Sequence, residues 1–195
     1  MSYTAQGRDV NLDIKRVVSY RHWCNKLWNA IRFAMLNLGP GFVPAASLDA
    51  AALPFPCRWI LAKLDRAVAA VVAGMEAYDF SAATSAAYAW WQYELCDVFI
   101  ELMKPVVFMD DAAPGAAAAK AATRATLWTC LETGLRLLHP FMPFVTEELW
   151  QRLPRGEGRA AEGSIMRAPY PAPQAGWADE GVEADMAYLL NVVTK

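Results

Sequence analysis

Five residues in the first fifth of the chain, Lys15, His22, Lys26, Asn29 and Phe33, have types and spacings that could hold an unpaired nucleobase. With Lys26 set at zero and about 100° per residue, they fall between about −60° and 0° around a helix. Two cations, a histidine, an amide and one aromatic ring then share a single narrow outward face. An unstacked base needs a ring to lie on, an amide for its edge and a cation for its phosphate. The apolar residues of the same segment, Val17, Tyr20, Cys24, Leu27, Trp28, Ile31, Met35 and Leu38, centre near about 150°, opposite that face. Spacing alone favours a plainer alternative for the ring, with Phe33 packed under a loop or another helix.

Other constellations offer less. Asp110-Asp111 and Glu147-Glu148 are adjacent pairs, and adjacent residues in regular structure point to different sides, so neither pair converges on one bond for acid-base work. His139 precedes Pro140 and reads as a helix-end residue making a structural hydrogen bond. Cys24, Cys57, Cys96 and Cys130 lie far apart, with no CxxC pair and no histidine at ligand spacing. A zinc site has nothing to build on, and a reduced, intracellular chain is the simplest expectation. There is no phosphate loop, GxGxxG or GxSxG string. The sequence therefore offers no catalytic, metal or cofactor site of its own.

The elements that must position the five residues can be read from periodicity. The chain has 195 residues, 56% of them hydrophobic, with eight tryptophans, enough for one domain with a well-filled core of packed rings. No uncharged apolar run approaches the roughly 18 to 20 residues a bilayer crossing needs. Helical spacing from 13 to 38 predicts one long amphipathic helix, capped by Asp13 and stopped by Gly39-Pro40-Gly41. Residues 42–55 read as a connecting loop. Pro56 opens a second helix to about 77. Asp79-Phe80-Ser81 caps a third that runs to Pro105 with Tyr88, Trp91, Leu95, Val98, Phe99 and Leu102 inward. The alanines after Pro114-Gly115 extend a fourth helix, at about 120–138, backwards. A short helix at 145–153 carries Glu147 and Glu148 in its first turn. With no sustained alternation of period two, the expected fold is all-α, an antiparallel helix bundle.

The expected domain division is a bundle over residues 1–153 and an extension, 154–195, packing on it. That extension is polar and glycine-rich, then extended through Pro169 to Pro173, and ends in a helix without a cap, as in a chain cut from something longer. Charge is uneven. The first 40 residues hold six cationic against two anionic side chains, while the rest hold 12 against 18, for a net charge of −2. Bulk attraction for nucleic acid is excluded, but a local basic face on the first helix is not.

The residues also carry a family resemblance. The string 7–13, Gly-Arg-Asp-Val-Asn-Leu-Asp, followed by Tyr20-Arg21-His22-Trp23-Cys24-Asn25-Lys26-Leu27-Trp28-Asn29-Ala30-Ile31-Arg32-Phe33, resembles the start of the anticodon-binding domain of valyl-tRNA synthetases. The likeness continues through Arg58-Trp59-Ile60-Leu61 and through Trp91-Gln92-Tyr93-Glu94-Leu95-Cys96-Asp97 with Glu101 and Lys104-Pro105. It then takes in the turn Leu138-His139-Pro140-Phe141-Met142-Pro143-Phe144 with Val145-Thr146-Glu147-Glu148-Leu149-Trp150, Ser164-Ile165-Met166 and Tyr170-Pro171. The turn marks only the wider subclass; the Asn-Lys-Leu-Trp-Asn string is the more specific. The resemblance implies a helical bundle that receives the anticodon stem-loop of valine tRNA through Lys26, Asn29 and Phe33, with Lys15 where the family carries a basic residue and His22 beside them. It implies a parent enzyme, in the cytoplasm or an organelle, that consumes ATP in a catalytic domain whose HIGH-type and KMSKS-type signatures are absent here. The expected partners are valine tRNA and that catalytic domain, with no membrane. The alternative is a stand-alone relic of the domain serving as a structural subunit of a larger assembly.

Overall fold

Asp13 accepts the backbone N–H of Lys15 at 2.9 Å, and this cap starts α1 (Ile14–Leu38). Gly39 ends it at φ 79°, a left-handed conformation that a side chain would strain. The computed structural model describes residues 13–39, 41–45, 47–155 and 163–193. Pro40 of the expected helix stop, residues 7–12 of the opening string and most of the polar stretch after Arg155 lie outside the described residues.

After the loop, which contains one 3₁₀ turn at Ala50–Ala52, Pro56 sits in the first turn of α2 (Phe55–Glu76). Asp79 caps α3 (Phe80–Ala89) by accepting the Ala82 N–H at 2.9 Å. This helix does not stop. It widens into a π-helical segment, Trp90–Phe99, and continues as α4 (Ile100–Val107), with Pro105 inside it. The alanine run extends α5 (Ala116–Leu138) backwards, as its sequence predicts. Next come α6 (Pro143–Arg152), a 3₁₀ turn at Ile165–Arg167 and α7 (Glu180–Val193). No strand occurs among the described residues, so the fold is an all-α bundle.

The centre of the bundle is α5, against which α2, α3 and α4 pack. Gly134 is the closest approach: a Cβ there would lie 2.6 Å from Trp90 Cζ3 and 2.9 Å from Trp91 Cζ2. Only glycine lets both indoles reach the helix, and Trp91 Nε1 then donates to the Gly134 carbonyl at 3.2 Å. Pro169, Tyr170 and α7 are tied down over this core. Buried Glu132 accepts from Arg136 at 2.7 Å, and Arg136 also donates to the Pro169 carbonyl at 2.6 Å. Tyr170 donates to the Leu137 carbonyl at 2.9 Å, and α7 is held to α2 by Arg58–Asp179 at 2.5 Å and Lys63–Glu183 at 3.2 Å.

Three expectations are corrected. The third helix is not α-helical throughout, and the π segment resets its register. Leu102, expected inward, is 38% exposed, and the buried set becomes Trp90, Trp91, Leu95, Phe99, Ile100 and Met103. The short helix expected at 145–153 begins at Pro143, so Glu147 and Glu148 lie beyond its first turn and pair instead with Gln151 and Arg152 along the helix. The buried side of α1 is also rotated from its predicted direction.

Candidate nucleic-acid interface

On α1 the buried residues are Trp23, Leu27, Ala30, Ile31, Ala34 and Leu38. On the wheel used above they centre near about 90°, roughly 60° closer to Lys26 than the apolar count implies. Val17 and Trp28, expected inward, are 54% and 40% exposed. The reason is that α1 packs at the edge of the bundle against α5 and α6, so the apolar residues on its far side meet solvent or a surface partner. Trp28 finds such a partner in the Arg152 guanidinium, 4.9 Å over its ring.

This rotation separates the five sequence-chosen residues. Lys15, His22 and Asn29 are exposed, whereas Lys26 and Phe33 sit at the margin of the buried side. Phe33 is half-buried, resting on the edge of the core, and its carbonyl accepts from Asn37 at 2.7 Å. At 1.5 Å per residue, Lys26, Asn29 and Phe33 span about 10 Å of helix, the reach of a base and its neighbour. Lys15 lies about 16 Å from Lys26 along the axis, too far to share a base with it but suitable for a backbone phosphate further along a strand.

Beside Lys26, α1 is met by side chains of α3 and the π segment, with a groove between α1 and α3. The Trp23 and Tyr88 rings lie 5.2 Å apart, and Tyr93, 57% exposed, meets Tyr88 edge-on at 6.1 Å. Lys26 Nζ donates to Asp97 Oδ1 at 2.7 Å, and Gln92 Nε2 donates to Asp97 Oδ2 at 3.2 Å. Beside them opens an apolar cleft of about 280 Å³, lined by Tyr20, Trp23, Thr84, Tyr88, Leu138, Phe141 and Met142. The groove therefore combines rings, an amide, a carboxylate and an ammonium, which suits base edges and base faces more than phosphate alone. Gln92, Tyr93 and Asp97 were not among the sequence candidates. The signal for them was the 91–97 string, which carries part of the family resemblance.

Burial pushes the Cys96 thiol up to about 11, outweighing the pull of the neighbouring Lys26 ammonium toward thiolate. Burial also lowers the pKa of His139, against the raising effect of Glu147, and its Nδ1 lies 2.7 Å from the Thr146 hydroxyl. No group of three or more metal-ligating side chains occurs among the described residues, and no helix there is long and apolar enough to cross a membrane.

Residues 57–195 match the family model described as the anticodon-binding domain of tRNA ligase. The chain is similar to "Valine--tRNA ligase, mitochondrial 1" of Arabidopsis thaliana, 51% identical over 193 residues that make up 99% of this chain and 17% of that protein. It is similar to "Valine--tRNA ligase" of Takifugu rubripes, 51% identical over 195 residues, 98% of this chain and 16% of the relative. The corresponding figures for "Valine--tRNA ligase" of Homo sapiens are 49% over 193 residues, 98% and 15%. The chain thus spans less than a fifth of the length of the curated relatives it matches.

Proposed function

Because this chain belongs to the anticodon-binding domain family of tRNA ligases, we propose that it receives the anticodon stem-loop of valine tRNA on behalf of a valine-tRNA ligase. The observation that carries the reading is the base-sized span of Lys26, Asn29 and Phe33 along α1, with the rings of Tyr88 and Tyr93 and the Asp97 carboxylate beside Lys26. It lies in a chain about half identical, over nearly all its length, to proteins named for valine and tRNA. In this reading the outward part of Phe33 stacks on an anticodon base, Asn29 reads a base edge, and Lys26 turns its ammonium to a base acceptor or phosphate. Lys15 and His22 steady the backbone further along the loop. Activation of valine with ATP and its transfer to tRNA belong to a catalytic domain outside these residues, which is the second partner of this one.

The test is a titration of the chain against a valine anticodon stem-loop hairpin and against hairpins with substituted anticodons, with the wild-type sequence and with Phe33→Ala. Preference for the valine hairpin, weakened by the substitution, supports the reading. Unchanged affinity in the variant removes Phe33 from the site. Equal binding of every hairpin by the wild type removes the function.

A further inference from the structure

We infer that the π segment supplies the other half of the base-reading site: Asp97, steered by Gln92, accepts from the exocyclic amino group of an adenine or cytosine, and Tyr93 stacks the neighbouring base. This rests on the anticodon-loop reading above and assigns the discrimination to residues outside α1.

The helical geometry provides the first step. In an α-helix, residues five apart are rotated by about 140°, so the side chains of Gln92 and Asp97 would diverge. In the π segment the backbone bonds run five residues back, as from the Ile100 N–H to the Leu95 carbonyl, and the wider turn brings residues five apart to within about 50° of each other. The Gln92–Asp97 side-chain bond at 3.2 Å exists for that reason. A π-helical insertion is rare, and such insertions are frequent at functional sites. Here its inward face carries Trp90, Trp91, Leu95 and Phe99, while its outward face presents Gln92, Tyr93 and Asp97.

Donor and acceptor accounting gives the ligand class. Lys26 occupies one lone pair of Asp97 Oδ1 and Gln92 one of Oδ2, so each oxygen keeps capacity for a further donor. The group that fits a carboxylate edge held in place by a cation and an amide is a base amino group, and the remaining ammonium protons of Lys26 stay available to an acceptor beside it. Tyr93 lies one turn away, its ring held edge-on by Tyr88 with most of its surface outward.

The experiment titrates the full chain with the valine hairpin. It also uses hairpins in which each anticodon adenine is replaced by hypoxanthine and each cytosine by uracil, swaps that exchange the amino group for a carbonyl. For the wild type, one swap should weaken binding about tenfold. Asp97→Asn should bind the unswapped hairpin about tenfold more weakly and lose less than twofold further at that same position. Tyr93→Leu should weaken all hairpins alike, because stacking tolerates any base. If Asp97→Asn keeps the full penalty at every swap, or binds every hairpin more tightly, Asp97 is only the partner of Lys26 and the inference is overturned. Unchanged affinity in Tyr93→Leu overturns the stacking half. Loss of all hairpin preference in the wild type defeats the anticodon reading itself, which is a different result from either variant's failure. Both side chains are exposed, so matching thermal melts for the three proteins confirm that binding and not folding is compared.

Discussion

The helices α5 and α1 are nearly equal in length, 23 and 25 residues, yet they use their polar side chains in opposite ways. On α5 Thr126 and Glu132 are buried. Thr126 donates to the Ala122 carbonyl at 2.9 Å, and Glu132 takes Arg136 and, at 3.4 Å, the Trp150 indole. Their capacity is used inside the protein, as burial demands. On α1 His22, Asn29 and Lys15 point away from the bundle, and Lys26 reaches across a groove. Polar character in a central helix is structural; recognition chemistry has to sit on a peripheral one. The π segment has both kinds of face, with tryptophans toward α5 and Gln92, Tyr93 and Asp97 toward the groove.

That contrast can be broken at either end. Trp91→Ala should cost about 3–5 kcal/mol of stability by removing a fully buried indole from the α5 contact, read from urea denaturation. Gly134→Ala should cost about 1–3 kcal/mol, since the added methyl meets both indoles; a loss under half a kcal/mol would mean the helices have room to separate. At the groove the signs reverse. Phe33→Ala should weaken hairpin binding by about 1–3 kcal/mol while altering denaturation far less than either core change. Lys15→Ala should reduce affinity for all hairpins by a similar small factor, because a phosphate contact carries no sequence information.

The smallest effect concerns pH. Burial holds the His139 imidazole below its ordinary pKa, so the folded state prefers it neutral and the unfolded state binds the extra proton first. Its contribution is fully present above about pH 6.5 and is lost as pH falls through the lower folded value. The melting temperature should therefore drop slightly between about pH 7 and pH 5, and His139→Gln should flatten that slope. An unchanged slope would place the titration elsewhere.

Much of the scaffold could be read from the chain because its boundaries have local chemical causes. Asp13 and Asp79 cap, Gly39 stops, and Pro56 opens a helix, each through its own backbone. What could not be read depended on neighbours. The direction α1 faces is set by α5 and α6, and counting apolar residues gave too much weight to Val17 and Trp28. The π segment is invisible to a wheel drawn at 100° per residue, which places Leu102 inward and sets Gln92 and Asp97 apart. Asp97 meets Lys26 across 71 positions of sequence, a distance over which spacing says nothing.

The Lys26–Asp97 pair also bears on how the groove should respond to ions. When a lysine replaces the small cations condensed on a nucleic acid, their release makes affinity fall with salt in proportion to the phosphates neutralised. Lys26 already has a counter-ion supplied by the protein, and while it stays on Asp97 it displaces no cation from the nucleic acid. A plot of log affinity against log salt should then show a shallower slope than the number of α1 cations implies. Selection among anticodon loops should persist at ionic strengths where attachment through the backbone has been lost.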